Sequence, residues 1–218
     1  MHLLDAADLG YGAAPVLRGV TLHVAVGERV VLLGRSGAGK STLLAAVRQA
    51  LLDQGRRVAL VPQDHALVPQ LSALRNVLMG RLDDHGAVYN LATLIRPRRA
   101  DRDAAMTVLD QVGLCPEADR AVETLSGGQK QRVALARALY RGGDVLVGDE
   151  PLSAVDPAQA DRLAGVIRDA FPTAILALHD VDLALGFATR LIGLKHGQVL
   201  LDGAPDIPRD LIEALYAR

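Results

Sequence analysis

An α/β fold with a mainly parallel core sheet is predicted by three observations. Short runs dense in Val, Leu and Ile (Val30 to Leu33, Val145 to Val147, Ala174 to Leu178) read as buried strands. Between the first of them and a helical opening, residues 34–42 spell Gly-Arg-Ser-Gly-Ala-Gly-Lys-Ser-Thr. This is G-x-x-x-x-G-K-S in the strand-before, helix-after setting that a phosphate loop requires. From Ala66 to about Arg120 the apolar residues recur at helical spacing, which marks a helical insertion in an otherwise α/β chain.

Taken in order, residues 3–26 alternate apolar and polar in short pieces (Leu3, Leu4; Val16, Leu17; Val20, Leu22, Val24, Val26). Gly10, Gly12, Pro15 and Gly19 punctuate them, predicting a small antiparallel sheet. Ser41 to about Gln54 reads as a helix stopped at Gly55, and Arg57 to Gln63 as a short strand running into a proline. In the insertion, Leu71, Leu74, Val77 and Leu78 form one apolar face, and Met106, Val108, Leu109 and Val112 another. Gly80, Gly86 and Pro97 break it. Ser126 is a suitable N-cap for a helix with the stripe Val133, Ala136, Leu139 and Tyr140. A strand ending in Asp149-Glu150-Pro151, a helix after Pro157 and a strand ending at His179-Asp180 follow. Residues 191–194 and 198–201 form a closing hairpin, and a short helix ends the chain.

A chain of 218 residues builds one sizeable core. No apolar run is long enough to cross a bilayer, and Met1 to Asp5 lacks a signal-peptide pattern. Cys115, the single cysteine, reads as a small apolar filler and excludes an internal disulfide; together these predict a cytoplasmic protein. Net charge −1 and 3% aromatics speak against nucleic acid as a partner. The basic run Arg96-Pro97-Arg98-Arg99 is offset by Asp101 and Asp103 and reads as a solvated helix start.

The chemistry begins at the phosphate loop. Its glycines let successive N–H groups turn inward without a Cβ in the way, and the following helix N-terminus adds unpaired donors and partial positive charge. In such a loop Lys40 reaches the β- and γ-phosphates and the Ser41 hydroxyl ligates Mg²⁺. These features imply a nucleoside triphosphate site. Asp149 at a strand end can hold Mg²⁺ opposite Ser41, and the adjacent Glu150 can deprotonate a water aimed at the γ-phosphate. His179 serves either as a solvated cap or as a γ-phosphate partner, and Gln63 either as an ordinary post-strand residue or as a contact to Mg²⁺ or water. Tyr11 is a surface tyrosine in a turn or a ring for adenine to stack on.

The ordered set of phosphate loop, Gln63, Leu125-Ser126-Gly127-Gly128-Gln129, Asp149-Glu150-Pro151, Ser153-Ala154-Val155-Asp156 and His179 resembles the ATPase subunits of ABC transporters over essentially the whole chain. The resemblance implies a P-loop NTPase domain spanning 1–218, with 1–65 and 140–218 as α/β core and 66–139 as helical subdomain. It implies ATP and Mg²⁺ as ligands, with residues 34–42 (Gly34, Arg35, Ser36, Gly37, Ala38, Gly39, Lys40, Ser41, Thr42) on the triphosphate and Tyr11 on adenine. Ser126, Gly127, Gly128 and Gln129 then touch the ATP of a second copy in a homodimer. Asp149 becomes the Mg²⁺ carboxylate, Glu150 the base and His179 the switch, with Ser153 to Asp156 communicating across the dimer. Gln63 senses the γ-phosphate, contributes to the metal and faces an integral-membrane permease, itself served by a solute-binding protein. The location implied is the inner face of the cell membrane.

Asn76 to Leu82, Tyr89 to Arg99, Val108 to Leu114, Leu178 to Ala184 and Arg190 to Leu194 are similar to the phosphonate-importer branch. One departure stands out: positions 41 to 62, a span of only 22 residues, separate Lys40 from Gln63 and leave no room for the hairpin usual in this family. Gly148 and Val155 are milder variants, read as positions that need mainly backbone fit. The competing expectation is an ABC-type ATPase serving as regulatory or scaffold subunit of a soluble complex without a permease.

Overall fold

The computed structural model describes residues 1–10 and 14–217. β1 (His2–Leu9) and β2 (Leu17–His23) pair antiparallel as a separate two-stranded sheet. The alternation of buried and exposed residues ends with β2: Val24 is buried, whereas Val26 is 80% exposed in the turn that precedes β3 (Arg29–Leu33). The phosphate loop then leads into α1 (Lys40–Asp53), and only residues 54–57 separate α1 from β4 (Val58–Val61). The segment predicted to be short, 41–62, is therefore taken up by α1, a four-residue turn and β4. β4 stops earlier than predicted because Pro62 has no N–H to continue the ladder.

The insertion contains α2 (Ala73–Leu78), α3 (Ala87–Ile95) and α4 (Arg99–Gln111); a 3₁₀ segment (Met79–Asp84) joins the first two, and two more 3₁₀ turns follow α4. α5 (Gly127–Arg141) follows, packed on α2 and α4 and also against β4. β5 (Val145–Asp149), α6 (Pro157–Ala170), β6 (Ala174–Ala177), α7 (Val181–Phe187), β7 (Arg190–Lys195), β8 (Gln198–Gly203) and α8 (Arg209–Tyr216) complete the chain.

The main sheet has the order β4-β5-β6-β3-β7-β8, parallel except for the β7–β8 hairpin. Because side chains alternate across a strand, each strand feeds two cores. Val30 and Leu32 pack with Val147, Ile175 and α1 residues Leu43 and Val47; Val31 and Leu33 pack with Leu146, Leu176 and α5 and α6 residues. Burial on both faces is why these strands read as unbroken apolar runs. It is also why β3, β4, β5 and β6, all parallel, release their C-terminal loops along one edge.

Candidate functional site

Four loops meet on that edge: residues 34–39 after β3, Gln63 after β4, Asp149-Glu150 ending and following β5, and His179 after β6. They line a cleft of about 320 Å³ with Ser36, Gly37, Gly39, Lys40, Ser41, Thr42, Gln63, Asp149, Glu150 and His179 on its walls. Gly39 has φ +102, and a Cβ there would stand 2.8 Å from the Leu17 side chain, so both conformation and space require glycine. Gly39 also supplies no side-chain cap to α1, which leaves the helix N-terminal donors for a ligand.

Lys40 is buried, and its ammonium donates to the carbonyl oxygens of Gly34 (2.7 Å) and Arg35 (3.2 Å). Burial lowers its pKa, while the nearby Glu150 and Asp149 carboxylates pull in the opposite direction. The cation thus rests inside the loop on backbone oxygens, within the same cleft as both acids.

Glu150 adopts φ +55, a left-handed conformation that costs a non-glycine residue about 1–2 kcal/mol. Its N–H donates to Ala177 O (3.1 Å), and its carboxylate lies 2.5 Å from His179 Nε2. The His179 ring is exposed and sits against the Glu150 carboxylate at the mouth of the cleft. Glu150 and His179 also line a second cavity, of about 150 Å³, with Leu152, Ser153, Val155 and Leu183. A Cβ at Gly148 would come within 2.8 Å of Leu176 and 3.1 Å of Pro151, so side-chain packing, and not only backbone fit, calls for glycine there.

Ser126 to Gln129 stand apart from this cleft. Ser126 Oγ accepts from Gln129 N (3.3 Å) while Gln129 Oε1 accepts from Ser126 N (2.9 Å), a reciprocal capping box. Ser126 and Gly127 are exposed, and Gly128 and Gln129 half-buried. The chain therefore brings Lys40, Gln63, Asp149, Glu150 and His179 together and leaves Ser126 to Gln129 on an open surface. Tyr11, the residue considered for adenine stacking, lies outside the described residues.

For Mg²⁺ the cleft offers the Ser41 hydroxyl, the Asp149 carboxylate and the Gln63 amide oxygen. These are hard oxygen donors, too few to enclose an ion alone and suited to one that keeps water and phosphate ligands.

Two side chains of α5 were not singled out by sequence. Arg137 donates to the carbonyls of Ala66 (2.6 Å) and His65 (2.7 Å), whose φ values of +45 and +61 place two successive non-glycine residues in the left-handed region just after Gln63. Gln131, buried on the same helix, contacts the loop that follows β5. A signal was present: a run such as Val-Ala-Leu-Ala-Arg-Ala-Leu-Tyr is apolar around nearly the whole helix, so polar residues on it need buried partners.

The family model described as ABC transporter matches residues 17–153. The chain belongs to the ABC transporter family, as an ATPase cassette. The cassette is 38% identical to the phosphite import ATP-binding protein PxtA of Stutzerimonas stutzeri, over 94% of its own length and 83% of that protein's. It is likewise 38% identical to the phosphonates import ATP-binding protein PhnC 2 of Cupriavidus metallidurans, over 93% and 81%. Among solved structures it is similar to a dimeric post-hydrolysis state of the ATP-binding cassette MJ0796 bound to ADP and Pi (TM-score 0.78, 26% identity, 95% of this chain and 100% of that one). The cassette is thus an ATPase of a family that binds ATP, and among the described residues no helix is long and apolar enough to cross a membrane.

Proposed function

We propose that this cassette is the ATP-hydrolysing subunit of an importer for phosphonate or a related phosphorus oxyanion, working as a homodimer on a membrane permease. The observation that carries the reading is the convergence of four loops, bearing Lys40, Gln63, Asp149 and the Glu150–His179 pair, on one sheet edge while Ser126 to Gln129 remain open on another surface. The cargo class rests on the relatives, which are named for phosphite and phosphonate import.

Residues 34–42 cradle the triphosphate and Lys40 turns from Gly34 and Arg35 toward it. Ser41 and Asp149, with Gln63, hold Mg²⁺, which when bound offsets phosphate charge. Glu150 takes the proton of the attacking water, and His179 fixes the carboxylate's direction from 2.5 Å. Ser126 to Gln129 close over the ATP of the second copy, so ATP becomes part of the interface and hydrolysis removes it. A groove of about 280 Å³ between α1, β4, the segment after Gln63 and α5, edged by Arg48, Asp83, Arg137 and Arg141, is the surface offered to the permease.

Glu150→Gln tests this. Turnover falls by about 10²–10⁴-fold through loss of the base while ATP binding persists, and an ATP-dependent dimer accumulates. A cassette that stays monomeric at saturating ATP with unaltered hydrolysis overturns the reading. Reconstitution with a phosphonate-importer permease and its solute-binding protein, scored by which phosphorus oxyanion stimulates turnover, tests the cargo.

A further inference from the structure

Gln131 is 2% exposed and has no part in the roles above. Its amide spends every contact on one short segment: Nε2 donates to the main-chain carbonyl of Glu150 and to Ser153 Oγ (3.2 Å), and Oε1 accepts from Ala154 N (2.8 Å). The residue so held, Glu150, is the one whose backbone sits at φ +55. Such a conformation persists where the surroundings over-determine it, and here the surroundings are the β6 carbonyl of Ala177 on the N–H side and, on the carbonyl side, Gln131 together with a long turn bond from Ser153 N (3.3 Å). The same helix meets the segment again one turn earlier, because Gly128 lies so close to the Ala154 carbonyl that a Cβ has no room. The first turns of α5, which open with Ser126 to Gln129, are therefore keyed to residues 150–154 of their own chain.

We infer that Gln131 is a positioning residue for hydrolysis: it holds the Glu150 main chain in its left-handed conformation, aims the carboxylate at His179 and the cleft, and makes that aim depend on how α5 is seated. This deepens the proposed function and rests on it. It means that a partner's ATP pressing on Ser126 to Gln129 acts, through Gln131, on the carboxylate of the opposite ATP site. A buried amide that only fills space would serve stability and leave this aim untouched.

The full chain is assayed as wild type, Gln131→Leu, Glu150→Gln and the double variant, with turnover expressed per nucleotide-binding site. Gln131→Leu lowers kcat about 10- to 100-fold with KM for ATP within about threefold, and in the Glu150→Gln background it removes less than about a further twofold, because residues acting as a unit are not additive. A kcat within twofold of wild type, or a loss of equal factor in both backgrounds, overturns the inference. Gln131→Glu, of the same size, guards against a Leu variant that does not fold. Its protonated acid restores the donor toward the Glu150 carbonyl, so its activity relative to wild type is at least about fivefold higher near pH 6 than near pH 8, and a flat ratio counts against the inference. Hydrogen exchange separates this from the proposed function. In Gln131→Leu, which removes the acceptor, the Ala154 amide exchanges faster while amides of residues 34–42 do not, whether or not the wild type hydrolyses ATP; unchanged exchange at Ala154 overturns the clasp, whereas an inactive wild type overturns only the function.

Discussion

α1 and α5 both begin beside glycines, yet α1 starts uncapped behind Gly39 while α5 starts inside a closed Ser126–Gln129 box. A glycine N-cap costs a helix only a few tenths of a kcal/mol relative to a capping side chain, and α1 bears that cost at Gly39, where phosphate oxygens can take the place of the missing acceptor. α1 also has Lys40 folded in beneath the loop, resting on Gly34 and Arg35 carbonyls. At α5 the donor of Gln129 is already engaged, and the Gln129 amide reaches on to Glu117 (3.2 Å). One N-terminus has its donors open toward the cleft; the other is a finished helix end, which under the proposed function becomes a site only when ATP arrives on a second copy. This difference fits a cassette that binds ATP alone and then closes.

The sharpest way to break that contrast is at the lysine. Lys40→Met removes a charged donor from the cradle and lowers kcat/KM for ATP by about 10²–10³-fold, mostly through nucleotide affinity measured by calorimetry. Gly128→Ala sets a Cβ against the Ala154 carbonyl, an overpacking of about 1–3 kcal/mol. It reduces ATP-dependent dimerisation in sedimentation while the single cassette keeps its affinity for ATP. Should both variants lose monomer affinity alike, the two N-termini are not different in kind.

Much of the cradle was legible because its chemistry is local. Gly34 to Thr42 are contiguous, and Asp149 and His179 each terminate an apolar run, so strand ends alone located them. What escaped is what a parallel sheet brings together from afar. The 2.5 Å meeting of Glu150 with His179 follows from β5 and β6 being neighbours, an order no spacing reveals. Gln131 and Arg137 look like solvated helix residues until α5 is seen enclosed on nearly every side, and the left-handed turns at His65, Ala66 and Glu150 fall on residue types that do not announce them. Val26 misled in the other direction: it continues an alternating pattern whose strand had ended at His23. The Ser126 cap was read from its residue type, whereas the reciprocal arm from Gln129 needed coordinates.

That box gives a smaller test. Ser126→Ala removes the acceptor for Gln129 N and costs about 1 kcal/mol, seen as a melting temperature about 2–4 °C lower for a chain of this size. ATP affinity of the single cassette stays unchanged. The equivalent loss cannot be produced at α1, where Gly39 has no side chain to delete.

The smallest effect is a linkage at Lys40. Its folded pKa lies below the ordinary value of 10.5 because burial disfavours the charge more than Glu150 and Asp149 favour it. Between the folded and unfolded values the unfolded chain binds more protons, so this group makes the fold gain stability as pH rises through that alkaline window. ATP reverses the environment: its phosphates favour the ammonium and raise the folded pKa. Binding in the alkaline window below 10.5 is then accompanied by uptake of part of a proton through this group. Calorimetry in two buffers of different ionisation heat reads the uptake directly, with Lys40→Met removing it. An uptake that survives in Lys40→Met assigns the proton to another group and removes the lysine from the cradle's electrostatics, while Ser126→Ala, altering only the capped N-terminus, leaves the uptake as it was.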